Sequence, residues 1–97
     1  MKIDKRQDGT KLIIALEGRL DTNTSQDLEK ELVSLEGVEE LEFDLRGLEY
    51  MSSAGLRILL GCQKKMNGRG SMIVRNANND IKEIFDMVGF SDIINII

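Results

Sequence analysis

The chain has 97 residues, 41% of them hydrophobic, and carries 13 basic and 17 acidic side chains for a net charge of −4. This length suits one compact domain, residues 1–97, and the acidic balance argues against direct nucleic-acid binding. With no histidine and Cys62 as its one cysteine, the sequence excludes an intrachain disulfide and histidine-based catalytic sets, and it lacks the ligands of most metal sites.

The amino terminus, MKIDKRQDGT, is charged, and no later run reaches the roughly 18 apolar residues of a membrane-spanning helix. A lone thiol also fits a reducing compartment. We therefore expect a cytoplasmic protein that does not contact a membrane, is not an enzyme and holds no metal or cofactor.

The charges are unevenly distributed along the chain. Between Asp27 and Asp44 every charged side chain except Lys30 is acidic, and between Arg57 and Arg75 every charged side chain is basic. Two interpretations stay open: separate acidic and basic faces that steer a partner, or ordinary solvated charge on helices and loops.

The first predicted elements form a hairpin. In KLIIALEGRL the apolar residues Leu12, Ile14 and Leu16 alternate with the rest, which is typical of a strand. The Asp8-Gly9 pair before it predicts a turn, so that residues 1–6 form an antiparallel partner strand.

A helix is predicted next, in DTNTSQDLEKELVSLEG. Leu28, Leu32 and Leu35 lie on one stripe at helical spacing. Either Asn23 or Thr24 is predicted to cap the first turn, and Gly37 to end the helix.

The segment VEELEFDLRGLEY predicts a strand with one buried and one polar face, since Leu41, Phe43 and Leu45 alternate with charged residues. A second helix is predicted from Ser53, with these residues on one side: Leu56, Leu59, Leu60 and Gln63. We expect Cys62 to be a buried small hydrophobic residue.

The last elements are a short strand in SMIVRN, a third helix and a final strand in DIINII. Apolar residues of the third helix follow the i, i+3, i+4, i+7 pattern: Ile81, Ile84, Phe85 and Val88. Asn78 or Asn79 is predicted to cap it and Gly89 to end it, and Met66, Met72 and Met87 are predicted to lie in or near the core.

The resulting order, β-β-α-β-α-β-α-β, predicts an α/β fold with a mixed, mostly parallel sheet. Because the third strand is polar at alternate positions, we expect the helices mainly on one face.

The motif YMSSAGL, where a strand gives way to a helix, is the candidate functional segment. The loop after a parallel strand is a common place for ligands and partners, and a helix start tolerates an added anion. Ser52 or Ser53 can cap the helix, and Gly55 permits close approach of another group. From these residues alone, a simple cap and a site that meets a partner both stay open.

The longer segment LEYMSSAGLRILL resembles the signature of the STAS domains that act as anti-sigma factor antagonists, in which an aromatic-apolar pair precedes Asp-Ser-Ser/Thr-Gly-Leu and a helix. LEGRLDTNT resembles the Gly-x-Leu-Asp segment of the family, carried here by Gly18, Leu20 and Asp21, and IKEIFDMVGFSDII resembles its third helix and the strand that follows. The resemblance spans nearly the whole chain and implies a single STAS domain.

The resemblance implies that Ser53 is the serine phosphorylated by a kinase that is also the anti-sigma factor. Ser52 takes the position of the family's aspartate, which makes it a rival acceptor, and Ala54 takes that of a hydroxyl residue. The implied partner-binding set is Asp21, Thr22, Ser52, Ser53, Ala54, Gly55, Leu56 and Arg57. For Asp21 and Thr22 a plain turn before the helix is an equal alternative, and for Arg57 an ordinary exposed arginine is one.

The implied function is partner switching in transcription regulation. The unmodified chain binds the anti-sigma kinase and frees a sigma factor, phosphorylation releases it, and a separate serine phosphatase restores it. The alternative is a STAS module that is never phosphorylated and serves as a scaffold, or as a sensor of a small anion or nucleotide, in a signalling assembly.

Overall fold

A computed structural model of the chain describes residues 1–32 and 35–97. In this part of the chain the strands are β1 (Lys2–Asp8), β2 (Lys11–Leu20), β3 (Glu40–Met51), β4 (Ser71–Arg75) and β5 (Asn95–Ile96). The helices are α1 (Thr22–Glu31), α2 (Ser53–Met66) and α3 (Asn79–Met87), and a 3₁₀ turn, Phe90–Asp92, precedes β5. The predicted order of strands and helices is confirmed.

The strands form one mixed sheet in the order β1-β2-β3-β4-β5, with β1 antiparallel to β2 and the other pairs parallel. Because each crossover moves to the next strand in the same direction, right-handed connections put the helices on one face. Burial agrees, since Ile14 and Phe43 are 0% exposed whereas Ile13 on the opposite face of β2 is partly exposed. The predicted α/β architecture with helices mainly on one face is confirmed.

The hairpin that opens the chain has a two-residue loop. Asp8 pairs with Lys11, so the loop is Gly9 and Thr10, one residue later than the Asp-Gly pair suggests. Gly9 has a φ of 62°, a left-handed conformation that glycine adopts without steric cost.

The face of the sheet that the helices do not cover carries a buried carboxylate, Glu42, which is 7% exposed. Its Oε1 lies 3.8 Å from Lys11 Nζ and 3.5 Å from Arg75 Nε. The cations come from the two strands beside β3 and cover the carboxylate between them. At Glu42 the polar side of β3 is therefore less exposed to solvent than the alternating pattern predicts.

The first helix is shorter than predicted. It ends at Glu31, with Leu32 as its C-cap, and does not reach Gly37, which lies in a later turn with a φ of 79°. Leu35 is 3% exposed but is not part of a helix. This leucine, predicted to lie on the buried stripe of the helix, is therefore buried in the core from a loop. Val33 and Ser34, also inside the predicted helix, lie outside the described residues.

The buried stripe of α2 is also rotated from the predicted one. The buried residues are Gly55, Leu59, Cys62 and Met66. Leu56 and Leu60 pack against the core only in part. The burial predicted for Cys62 is confirmed.

The third helix is confirmed at its start and at its end by Gly89, but the predicted burial of its last residues is wrong. Asn78 Oδ1 accepts a hydrogen bond from the Ile81 amide at 2.8 Å, and Gly89 turns the chain with a φ of 76°. Val88 and Met87, predicted to be buried, are 49% and 85% exposed, because the chain turns away immediately after them. No helix within the described ranges is both long and apolar enough to cross a membrane.

Candidate functional site

Two helices begin side by side at one edge of the sheet. β2 and β3 run parallel and end together, with Leu20 paired to Met51. The Ser52 backbone N–H donates to the Leu20 carbonyl oxygen at 2.8 Å, which joins the start of α2 to the end of β2. The structure therefore brings the Asp21 turn and the serine turn together.

The α1 start is capped by Asp21, which corrects the prediction of Asn23 or Thr24. Asp21 Oδ1 accepts hydrogen bonds from the Asn23 and Thr24 amides, each at 3.0 Å. In return the Asp21 N–H donates to the Thr24 hydroxyl at 2.8 Å, which completes a capping box. The Thr24 amide and hydroxyl, aided by nearby Arg19, hold the pKa of Asp21 below its usual value.

The two serines of the motif have different environments. Ser52 is the N-cap of α2, and its Oγ accepts a hydrogen bond from the Gly55 amide at 3.4 Å, a long distance for such a bond. Ser53 is the first residue of the helix and is exposed, and its hydroxyl forms no hydrogen bond to any described residue. The cap and the free hydroxyl are thus assigned to different serines.

Gly55 has a packing role inside the chain. A Cβ at this position would lie 2.7 Å from Leu20 Cδ2 and 3.0 Å from Met51 Cγ. The close approach that a glycine here allows is therefore already taken up by the ends of β2 and β3. Leu56 follows it, packed in part against the core.

The other predicted site residues lie nearer to solvent. Thr22 and Arg57 are exposed and Ala54 is partly exposed, and the three line one groove between α1 and α2. The Arg57 side chain forms no ion pair or hydrogen bond within residues 1–32 and 35–97. Arg57 is thus available to an anion or an acidic partner.

Sequence reasoning missed Arg19. Its guanidinium lies over the ring of Tyr50, 4.3 Å from the centroid, as a cation–π pair. Arg19 and Tyr50 are paired neighbours on β2 and β3, so the contact covers the outer side of the two strand ends. Arg19 occupies the variable position of the Gly-x-Leu-Asp segment, which does not reveal which β3 residue faces it.

The site offers an exposed hydroxyl, Ser53, and an exposed guanidinium, Arg57, groups suited to binding and to accepting a group from another protein. No cluster of metal-ligating side chains was found among the described residues. Burial raises the pKa of the Cys62 thiol to about 11, so the thiol is protonated and a poor nucleophile near neutral pH. An exposed hydroxyl at a helix start can nevertheless receive a phosphoryl group transferred by a partner enzyme.

Comparison with known proteins gives a coherent result. A model of the STAS domain matches residues 2–97. A Bacillus subtilis relative named anti-sigma-B factor antagonist is 29% identical over 98 residues, which covers 99% of this chain and 90% of the relative.

Solved structures share the fold. An anti-sigma factor antagonist from Mycobacterium paratuberculosis superposes with a TM-score of 0.88 at 18% identity, covering 98% of this chain and 83% of the other. The Bacillus anti-sigma factor antagonist SpoIIAA superposes with a TM-score of 0.79 in its unphosphorylated form, at 16% identity, covering 99% of this chain and 87% of that one. Its phosphorylated form gives the same TM-score, 0.79, at 17% identity, covering 99% of this chain and 91% of that one. At these identities the likeness concerns the fold.

Proposed function

Because the chain belongs to the STAS domain family, we propose that it is an anti-sigma factor antagonist controlled by phosphorylation of Ser53. In its unmodified state it binds an anti-sigma factor that is also a serine kinase, and so frees the sigma factor. Phosphorylation of Ser53 releases the kinase, and a serine phosphatase resets the cycle. This protein contributes no catalytic group.

The observation that carries the proposal is the free, exposed hydroxyl of Ser53 at the start of α2. A kinase must bring the acceptor hydroxyl within reach of its nucleotide, which a buried or fully hydrogen-bonded serine does not permit. Ser52 is the poorer acceptor, because it is partly buried and its oxygen caps the helix.

Electrostatics favours a switch that does not need refolding. A phosphate adds about −1.5 to −2 charges, and the amides at a helix start stabilise an anion within the free domain. In a docked complex the same anion loses its water, and burying an unpaired charge is costly. Shifting a complex from nearly all bound to nearly all free requires about 5 kcal/mol, within reach of such a penalty. SpoIIAA matches this fold with the same TM-score, 0.79, in its unphosphorylated and phosphorylated forms, which supports the absence of refolding in such a switch.

The test is to incubate the purified chain with the serine-kinase anti-sigma factor encoded in the same genome and ATP. Intact mass should increase by one phosphate in the wild type and in Ser52→Ala, and should not change in Ser53→Ala. Phosphate on Ser52→Ala but not on Ser53→Ala would identify Ser53 as the acceptor. The reverse pattern would identify Ser52. No phosphate on any chain would favour a STAS module that is never phosphorylated.

A binding titration separates the switch from the modification itself. Ser53→Asp should weaken kinase binding by about tenfold or more, because a charge then sits in the docked surface. Ser71→Asp is the matched control, since Ser71 is also exposed but lies at the start of β4, near the opposite edge of the sheet. Equal binding by both variants would contradict release by charge at Ser53.

A further inference from the structure

A surface groove of about 510 Å³ runs between α1 and α2. The α1 wall presents residues spaced three or four apart from Thr22 to Leu32, and the α2 wall does the same from Ala54 to Lys65. At a rise of 1.5 Å per residue each wall is about 15 Å long, or three helical turns. The groove therefore follows both helices over about three turns and extends well beyond the serine turn.

The buried lining of the groove is mainly apolar, with one hydroxyl, Ser25, that donates to the Asp21 carbonyl oxygen. Leu32 and Cys62 lie at its base, 2% and 3% exposed, with Ile58 above them partly exposed. Since Leu32 and Cys62 are already buried, Ile58 is the one of these three whose apolar surface is still open to water, and covering it with another apolar side chain would gain free energy.

Gly61 is a gap in the α2 wall. It lies inside the helix, it does not have a positive φ, and a Cβ there would meet no atom within 4 Å. Neither the backbone nor packing within the chain requires glycine, although glycine weakens a helix relative to alanine. What the missing side chain does provide is space for a visiting chain to approach α2 closely.

The rims of the groove have opposite charges. Arg57 and Lys65 lie on the α2 side, two turns apart, and neither forms an ion pair in the described part of the chain. Glu29 lies on the α1 side. A partner with acidic side chains two turns apart, on the flank that faces α2, would complement this arrangement.

We propose that the groove receives an amphipathic α-helix of the anti-sigma factor, with its apolar side over Ile58 and Gly61 and acidic side chains facing Arg57 and Lys65. A helix fits because ridges of a third helix can enter the channel between two others at their usual spacing. An extended strand fits poorly, since the walls are side chains of helices and offer no free backbone edge for pairing.

The proposal rests on the function proposed above and extends it from the phosphorylated serine to the docking element. The groove is continuous with the serine turn, because Thr22, Ala54 and Arg57 line its end. A phosphate on Ser53 would then face the acidic flank of the docked helix and would compete for Arg57. Like-charge repulsion at that end supplies a direct reason for release.

The first experiment measures binding of the same kinase by titration calorimetry to two pairs of variants. Gly61→Leu fills the groove and should weaken binding by about tenfold or more, while Lys64→Leu, which adds the same side chain to α2 outside the groove, should stay within about twofold. Lys65→Glu should weaken binding several-fold, while Lys64→Glu, whose residue does not line the groove, should not. Circular dichroism checks that all four variants fold.

The second experiment identifies the occupant. Carbodiimide treatment of the complex joins a lysine amine to a carboxylate in contact with it, and peptide mapping should join Lys65 to an acidic residue within an amphipathic helix of the kinase. A cross-link from Lys65 to a strand or an extended loop of the kinase would overturn the proposal that a helix occupies the groove.

The outcomes separate this proposal from the proposed function. Wild-type binding that phosphorylation abolishes but that neither Gly61→Leu nor Lys65→Glu affects overturns the groove and leaves the switch intact. A wild-type chain that neither binds nor is phosphorylated overturns the proposed function, and the occupant assigned here with it.

Discussion

The starts of α1 and α2 differ in how fully they are hydrogen-bonded, although both follow the end of a parallel strand. At α1, Asp21 accepts two backbone amide bonds at 3.0 Å and donates one at 2.8 Å. At α2, the Ser52 side chain accepts a single bond at 3.4 Å, and the next side chain, Ser53, makes none to a described residue.

This difference separates a structural role from a chemical one. Hydrogen bonds that cap a helix also fix the side chain that makes them, so a residue used as a cap is less available to a partner. The sheet edge thus combines a rigid turn at Asp21 with a free hydroxyl at Ser53, held next to it by the Ser52 to Leu20 backbone bond. The following variants test that comparison.

The largest effect is expected from Gly55→Ala, which disrupts the contact of α2 with the ends of β2 and β3. The new methyl group would lie 2.7 Å from Leu20 Cδ2, and Leu20 is 0% exposed and has little room to move. We expect the free energy of unfolding to fall by about 1–3 kcal/mol in urea denaturation. In Gly61→Ala, the control on the same helix, it should rise by about 0.5–1 kcal/mol; a change of the same sign in both would contradict the packing argument.

The next effect is expected from Asp21→Ala, which removes the capping box of α1. The melting temperature followed by circular dichroism should fall by roughly 5 °C, since an N-cap with good geometry is lost in a domain of this size. A smaller fall in melting temperature for Asp21→Ala than for Ser52→Ala would contradict the conclusion that α1 is the more strongly capped helix.

A pH titration sharpens the role of Asp21. Hydrogen bonds from Thr24 hold its folded-state pKa below the ordinary value of 3.8, so its contribution to stability is present above that value and is lost as pH falls through the folded pKa. Asp21→Asn keeps an oxygen that can cap but does not titrate. Between about pH 5 and pH 2 the wild type should therefore lose more stability than Asp21→Asn.

Asp44 is a background carboxylate in that experiment. Burial raises its pKa, but hydrogen bonds from Asn76 and from the Arg46 amide outweigh burial and lower it. Since Asp44 is present in both proteins, the difference between their curves isolates Asp21. Parallel curves would contradict the lowered pKa of Asp21.

The smallest effect is expected from Ser52→Ala. Its one side-chain hydrogen bond, at 3.4 Å, is long and weak, so the free energy of unfolding should change by less than about 0.5 kcal/mol in urea denaturation. Ser53→Ala serves as the reference with no bond to lose. A fall in the free energy of unfolding above about 1 kcal/mol in Ser52→Ala, but not in Ser53→Ala, would show that Ser52 stabilises its helix as much as Asp21 does.

Much of the fold could be predicted because the signals are local. Alternation along β2 and β3 identifies which side chains are buried, and the change of period at Ser53 marks the start of α2. The cap of α1 was harder, since Asp21, Asn23 and Thr24 are all good caps by intrinsic preference. The choice depends on how far β2 extends, and pairing with β3 carries that strand to Leu20.

Other features depend on register and packing. The contact of Arg19 with Tyr50 follows two register shifts between β2 and β3, after Ala15 and after Gly18, and residue spacing does not predict such irregularities. The groove is made by how α1 packs against α2. Likewise, Val88 continues the apolar period of α3. The chain turns at Gly89, directly after it, and Val88 stays outside the core.

The burial of Cys62 also gives the molecule a built-in reporter. Its thiol is 3% exposed at the base of the groove and has a pKa of about 11, so alkylating reagents reach a reactive thiolate only when α1 and α2 move apart. The rate of its alkylation therefore measures local opening between two helices, without any engineered label. Because the sequence contains one cysteine, the whole signal comes from that single position.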